Sequence, residues 1–205
     1  ESVTSPATSV VANVNDAPVG SVTISGTATQ GETLTAANTL ADLDGLGSIS
    51  FQSNRAGVAI TDATSSTYTL VQADVGSVIT VTASYSDGEG TAESVTSTAT
   101  SAVANINDAP VGSVKIEGQA KQGQTLYTTK TLNDDDGMGA ISYQWKRAGT
   151  AITDATASNY TLVQADVGSI ITVTASYTDG QGTAESETSV ATSVIDNVND
   201  APSGS

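Results

Sequence analysis

The side chains able to do chemistry in this chain are nearly all carboxylates, and they fall into two matched sets. Asp16, Asp42, Asp44 and Asp87 recur as Asp108, Asp134, Asp136 and Asp179, each 92 residues further on. An amide precedes each set, Asn15 in the first and Asn107 in the second. The surrounding phrases are "NDAP", "DLDG" and "SDGEG", then "NDAP", "DDDG" and "TDGQG". The chain has no His and no Cys. A Ser nucleophile therefore lacks its usual imidazole base, and thiolate or imidazole metal sites are excluded. Oxygen chemistry remains: a carboxylate pair that cleaves a glycoside, or carboxylates that hold a hard cation.

The spacing comes from internal duplication. "NVNDAPVGS" at 13–21 returns as "NINDAPVGS" at 105–113 and "NVNDAPSGS" at 197–205. Aligning 17–108 with 109–200 needs no gap and gives 64 identities in 92 positions. The opening "ESVTSPATSVVAN" matches 93–105 and 185–197. The expected organisation is the last strand of a preceding repeat (1–14), one repeat (15–106), a second (107–198), and the start of a further linker (199–205). A start in mid-repeat implies a piece of a longer array. Repeats of this size can each fold as a domain.

The elements that must position the carboxylates are short strands. In "ITVTASYS" (79–86), Ile79, Val81, Ala83 and Tyr85 share one face and the Thr and Ser residues the other. That period of two marks a half-buried antiparallel strand. Similar runs lie at 21–25, 32–40, 48–52, 58–61, 67–71 and 92–103, separated by Gly-, Asp- and Asn-bearing turns. Seven such strands with frequent turns predict an all-β sandwich in each repeat. The Asp-Gly steps at 87–88 and 179–180 predict hairpins.

The stretch "YQWKRAGTAITDATASNYTLVQADVGSIITVTASYTDGQG" (143–182) resembles the bacterial immunoglobulin-like repeats of giant repeats-in-toxin type adhesins. "NDAP" resembles the calcium-binding linker of cadherins. The resemblance covers both repeats and implies two tandem immunoglobulin-like antiparallel β-sandwiches of about seven strands each. It also implies a rod stiffened by Ca2+ at the junctions. The intersheet cysteines of antibody domains and the glycine-rich nonapeptide of toxin β-rolls are both absent from the sequence.

Immunoglobulin-like topology places the incoming linker, the loop between the second and third strands, and the loop between the sixth and seventh at one pole. Asp16, Asp42, Asp44 and Asp87 should then converge, as should Asp108, Asp134, Asp136 and Asp179. Four carboxylates at one pole repel unless a cation sits among them. Ca2+ takes six to eight oxygens in flexible geometry, whereas Mg2+ demands a stricter octahedron, so Ca2+ is the expected ion. Asn15 and Asn107 can add oxygens, and Asp135 and Glu89 are accessories. Each motif alone has a plainer reading: Pro stiffens a linker, and Asp and Gly favour turns. Asp62 and Asp154 read as turn residues. Asp74 and Asp166, at the opposite pole, read as partners of Arg55 and Arg147.

Large side chains are scarce. Trp145 has the parity of a core residue, and Ser53 stands at its place in the first repeat. The first repeat is therefore expected to be the less stable.

The expected function is a structural extender in the stalk of an extracellular bacterial surface adhesin, of the kind that builds biofilms. Calcium would fix each linker and make a segment of about 40 Å per repeat, given ~3.4 Å rise per strand residue. An enzyme is not expected. The alternative is a multivalent carbohydrate- or protein-binding module, but Tyr68, Tyr85, Tyr160 and Tyr177 have core parity and leave Tyr127 as the outlier. Partners are expected to be neighbouring repeats of a monomeric chain. Its net charge of −16 disfavours nucleic acid and anionic membranes, and no apolar run approaches the ~18 residues of a span. Asp200, with no partner loops after it, is expected to be mobile and without calcium.

Overall fold

The structure, a computed structural model, describes residues 1–199. Asp200 and the expectation attached to it lie outside the described residues. Two compact units divide the chain, one ending at Ile106 and the other beginning at Asn107.

In the first unit the strands are β1 (Val22–Ser25), β2 (Thr33–Asn38), β3 (Ser50–Arg55), β4 (Val58–Ala59), β5 (Thr67–Thr69), β6 (Ile79–Ser86) and β7 (Ala92–Thr96). They form two antiparallel sheets, β1-β2-β5 and β4-β3-β6-β7. The second unit repeats them as β8 (Val114–Glu117), β9 (Thr125–Lys130), β10 (Ser142–Arg147), β11 (Thr150–Ala151), β12 (Asn159–Thr161), β13 (Ile171–Thr178) and β14 (Ala184–Thr188). Its sheets are β8-β9-β12 and β11-β10-β13-β14. Each unit is thus the expected seven-stranded β-sandwich. Residues 1–14 lie in no strand and are exposed.

The seventh strand is shorter than the sequence predicts. The expected run reaches residue 103, yet β7 stops at Thr96. Side-chain oxygens are the cause. Val81 N–H donates to Ser97 Oγ at 3.0 Å and Ile79 N–H to Thr100 Oγ1 at 3.0 Å. These hydroxyls take the place of backbone carbonyls. The chain still follows β6, because the N–H groups of Ser97, Thr100 and Val103 donate to the carbonyls of Val81, Ile79 and Ser77.

Alternation along β6 and β13 builds the cores. Ile79, Val81, Ala83 and Tyr85 are buried, as are Ile171, Val173, Ala175 and Tyr177. In the second unit Trp145 is fully buried within one continuous core. Its Nε1–H donates to the Ala157 carbonyl at 2.9 Å, and its ring stacks obliquely on Tyr160 at 5.8 Å. Ser53 occupies the same register in the first unit, opposite Val81. There the buried apolar residues separate into two clusters, one around Val81 and Tyr85 and one around Leu70 and Ile79.

The end away from the linker is tied by a buried acid. Asp74 accepts from Arg55 Nε at 2.7 Å, Tyr68 O–H at 2.9 Å and Val71 N–H at 2.8 Å. Asp166 accepts the same set from Arg147, Tyr160 and Val163. The ion pairs read from the sequence are therefore present. Asp62 and Asp154 occupy turns at φ of 61° and 60°.

Candidate metal centre

Three segments meet at one end of the first unit: the linker around Asn15–Asp16, the β2–β3 loop, and the β6–β7 hairpin. The hairpin is closed by Asp87, whose N–H donates to the Thr91 carbonyl at 2.9 Å. Its Oδ1 accepts the N–H groups of Glu89 at 3.0 Å and Thr91 at 2.7 Å. Such capture of downstream N–H groups is why Asp favours turns. Gly88 then donates its N–H to the Asp44 carbonyl at 2.9 Å. A Cβ on Gly88 would lie 2.4 Å from that carbonyl oxygen, so only glycine lets the two loops approach.

In the β2–β3 loop, Asp42 Oδ1 accepts the Asp44 N–H at 2.9 Å, and Oδ2 accepts the Tyr85 hydroxyl at 2.6 Å. The linker joins through Asp16, whose N–H donates to Asp44 Oδ2 at 2.7 Å. Asn15 Nδ2 donates to Glu93 Oε1 at 2.8 Å. Glu93 lies opposite Tyr85 in the β6–β7 ladder. The contacts form a closed circuit: Asp16, Asp44, Asp42, Tyr85, Glu93, Asn15.

The second unit reproduces the circuit with Asp108, Asp136, Asp134, Tyr177, Glu185 and Asn107. Asp179 closes its hairpin by the bonds that Asp87 makes. The second cluster is the more enclosed: Asp134, Asp136 and Asp179 are all buried, whereas in the first only Asp87 is.

The segments that carry the predicted Asp residues thus meet in both units, through bonds of Asp16 and Gly88 to Asp44 and of Asp108 and Gly180 to Asp136. Asp135 and Glu89, the accessories, are exposed. The amides Asn15 and Asn107 engage through nitrogen rather than the oxygen foreseen for a ligand. Glu93 and Glu185 were missed. The signal for them was a charged residue at the inward-facing parity of the seventh strand, in step with Val95 and Ser97.

Electrostatics mark the same place. Tyr85 is pushed above the usual tyrosine range, first by burial, then by its bond to Asp42, and then by the charges of Asp42, Glu93 and Asp87. Tyr177 is raised in the same way by burial and by Asp134, Glu185 and Asp179. In each unit three carboxylates therefore press on one hydroxyl.

One oxygen in each cluster lacks a partner. Asp87 Oδ2 and Asp179 Oδ2 are buried without a hydrogen bond, on residues only 7% and 6% exposed. Leaving a buried carboxylate oxygen without a donor is costly. A cation would relieve it. The donor set is oxygen alone, which fits Ca2+ and not a thiophilic or imidazole-seeking metal. Among the described residues, no group of three or more acidic side chains stands close enough to hold a metal ion as it is. Both oxygens of Asp42, Oδ2 of Asp44 and Oδ1 of Asp87 are turned to N–H and O–H donors, so a shared ion would require some side chains to rotate.

The fold is all-β, an antiparallel β-sandwich in each of two units. No protein-family model matches it, and no curated protein matches it in sequence. Among solved structures it is similar to three N-terminal domains of the highly immunogenic outer capsid protein of bacteriophage RB49. That similarity has 17% identity and a TM-score of 0.29, over 84% of this chain and 59% of that one. It is also similar to a tetra-tandem repeat in the extending region of a large adhesion protein. There the identity is 22% and the TM-score 0.34, over 87% of this chain and 50% of that one. The chain thus spans about half to three fifths of the length of these structures. Neither similarity carries functional weight at that score. Among the described residues no helix is long and apolar enough to cross a membrane.

Proposed function

We propose that the chain is a pair of extender repeats from the stalk of a bacterial surface adhesin, each taking Ca2+ at its acidic pole, and that its role is reach rather than catalysis. The observation that supports this best is the doubled pole. Two sandwiches carry the same circuit, the same hydrogen-bonded linker, and the same unpartnered buried carboxylate oxygen. Near-identical copies suit a spacer, whose task is additive, better than a receptor tip, whose task is specific.

In this reading Asp87 and Asp179 are the first ligands, because their Oδ2 atoms have no other partner. Asp44 and Asp136 bring carboxylates already bonded to the linker backbone. Asp16 and Asp108 bring the linker's own side chains. An ion held by both linker and loops leaves fewer linker residues free to bend. Extracellular modules bind Ca2+ with dissociation constants on the order of 10⁻⁴–10⁻³ M, so such sites fill outside the cell and stay empty in the cytosol. A repeat of this kind gains stability where it works.

Solution scattering of the chain with Ca2+ and with chelator tests the reading. The maximum dimension should grow, and its distribution narrow, when Ca2+ is added. An unchanged profile removes the stiffening role.

A further inference from the structure

We propose that Glu93 and Glu185 are ion ligands at the two poles, while Asp42 and Asp134 are positioning residues that shape the loop and do not touch the ion. The assignment rests on the Ca2+ reading above and sets its residues.

Asp42 has both oxygens in use. Oδ1 takes the Asp44 N–H and Oδ2 takes the Tyr85 hydroxyl. Both donors are fixed, one as the backbone of the loop turn and the other as a buried strand side chain. Rotating Asp42 toward an ion breaks the two bonds that give the loop its shape. Asp134 is held identically by Asp136 and Tyr177.

Glu93 is placed differently. Its bond is to the exposed amide of Asn15, a partner that water replaces at little cost. It is half-buried on β7, inward-facing with Val95 and Ser97. An inward carboxylate calls for a counter-charge. Among the described residues the ion pairs are Arg55–Asp74 and Arg147–Asp166, and neither involves it. Opposite it in the ladder stands Tyr85, and two residues on, at the same buried parity, Asp87 with its unpartnered Oδ2. Glu93 and Asp87 thus approach Tyr85 as two like charges, an arrangement that a cation between them stabilises. The second unit repeats this with Glu185, Asp179 and Tyr177.

Terbium, a hard oxygen-seeking stand-in for Ca2+, gives the test on the full chain. Its directly excited emission lifetimes in H2O and D2O report the waters bound to the ion, and calorimetry gives the Ca2+ affinity. In Glu93→Gln/Glu185→Gln each ion should gain a water, and Ca2+ affinity should fall about ten-fold or more, since affinity follows ligand charge. In Asp42→Asn/Asp134→Asn the number of bound waters should stay that of the unaltered chain. Should that variant fail to fold, Tyr85→Phe/Tyr177→Phe removes the hydroxyl bond to Asp42 and Asp134 and leaves their bonds from the loop N–H groups; the number of bound waters should again stay that of the unaltered chain. The assignment is overturned if the Glu variant changes neither reading, or if the Asp variant is the one that gains water. An unaltered chain that binds neither ion overturns the Ca2+ reading itself, and this assignment with it.

Discussion

The backbone N–H of Asp16 donates to Oδ2 of Asp44 at 2.7 Å, and Asp108 repeats the bond to Asp136 at 2.7 Å. A linker residue is therefore anchored to a loop side chain 28 positions away in both units. The acidic phrase ahead of each sandwich is part of that sandwich's pole.

The pole depends on two loops touching backbone to backbone. In Gly88→Ala the new methyl would meet the Asp44 carbonyl oxygen at 2.4 Å. Backbone must shift, at a cost of about 1–3 kcal/mol for overpacking, and the Asp44 carboxylate moves with it. Thermal unfolding should show the loss in the first unit only. A variant as stable as the parent contradicts the contact.

Trp145 separates the two units energetically. It is the one Trp of the chain and reports the second unit alone by fluorescence. Calorimetry should resolve two transitions, with the fluorescence change falling on the upper one. Trp145→Ala should lower that transition by the equivalent of roughly 3–5 kcal/mol. A fluorescence change on the lower transition contradicts the ranking.

The buried acid at the far pole is a second point of fragility. Asp166→Asn leaves Arg147 without its ion partner and weakens the bonds from Tyr160 and Val163. Breaking a fully buried pair costs 3–5 kcal/mol. Because the Arg147 side chain is 30% exposed, about 2–3 kcal/mol is expected, read from the same fluorescence transition in urea.

Alkaline pH should unfold the chain. Tyr68, Tyr85, Tyr160 and Tyr177 are all raised, with burial the leading cause and a bonded Asp next. The unfolded chain releases these protons near pH 10. Above about pH 10 the unfolded state therefore binds fewer protons than the folded one, and stability falls as pH rises. Below about pH 10 the contribution is whole. Tyrosinate absorbance should appear together with loss of the β-sheet circular dichroism signal. Ionisation of these tyrosines in a chain that keeps its sheet signal contradicts the burial.

Much of the fold was legible because the strands alternate cleanly. Ile79, Val81, Ala83 and Tyr85 announce their face, and the gapless second copy checks every turn. The pairing of Asp74 with Arg55 was legible too, because Arg55 is the one Lys or Arg of the first repeat. The early end of β7 was not: Ser97 and Thr100 look like ordinary strand residues, and only the structure shows their hydroxyls accepting ladder N–H groups. Glu93 was hidden for a related reason. It reads as one more surface acid until the hairpin register sets it opposite Tyr85. The convergence of Asp16, Asp44 and Asp87 followed from topology. Which of their oxygens remain free did not, because that depends on individual hydrogen bonds.

Calorimetric melting of the full chain with Ca2+ and with chelator decides whether each pole takes Ca2+. Ca2+ at ten-fold its dissociation constant should stabilise each unit by about 1.4 kcal/mol, so both transitions should rise. Asp87→Asn should cancel the lower shift and Asp179→Asn the upper. If millimolar Ca2+ moves neither transition of the unaltered chain, the poles are hydrogen-bonded turns and nothing more.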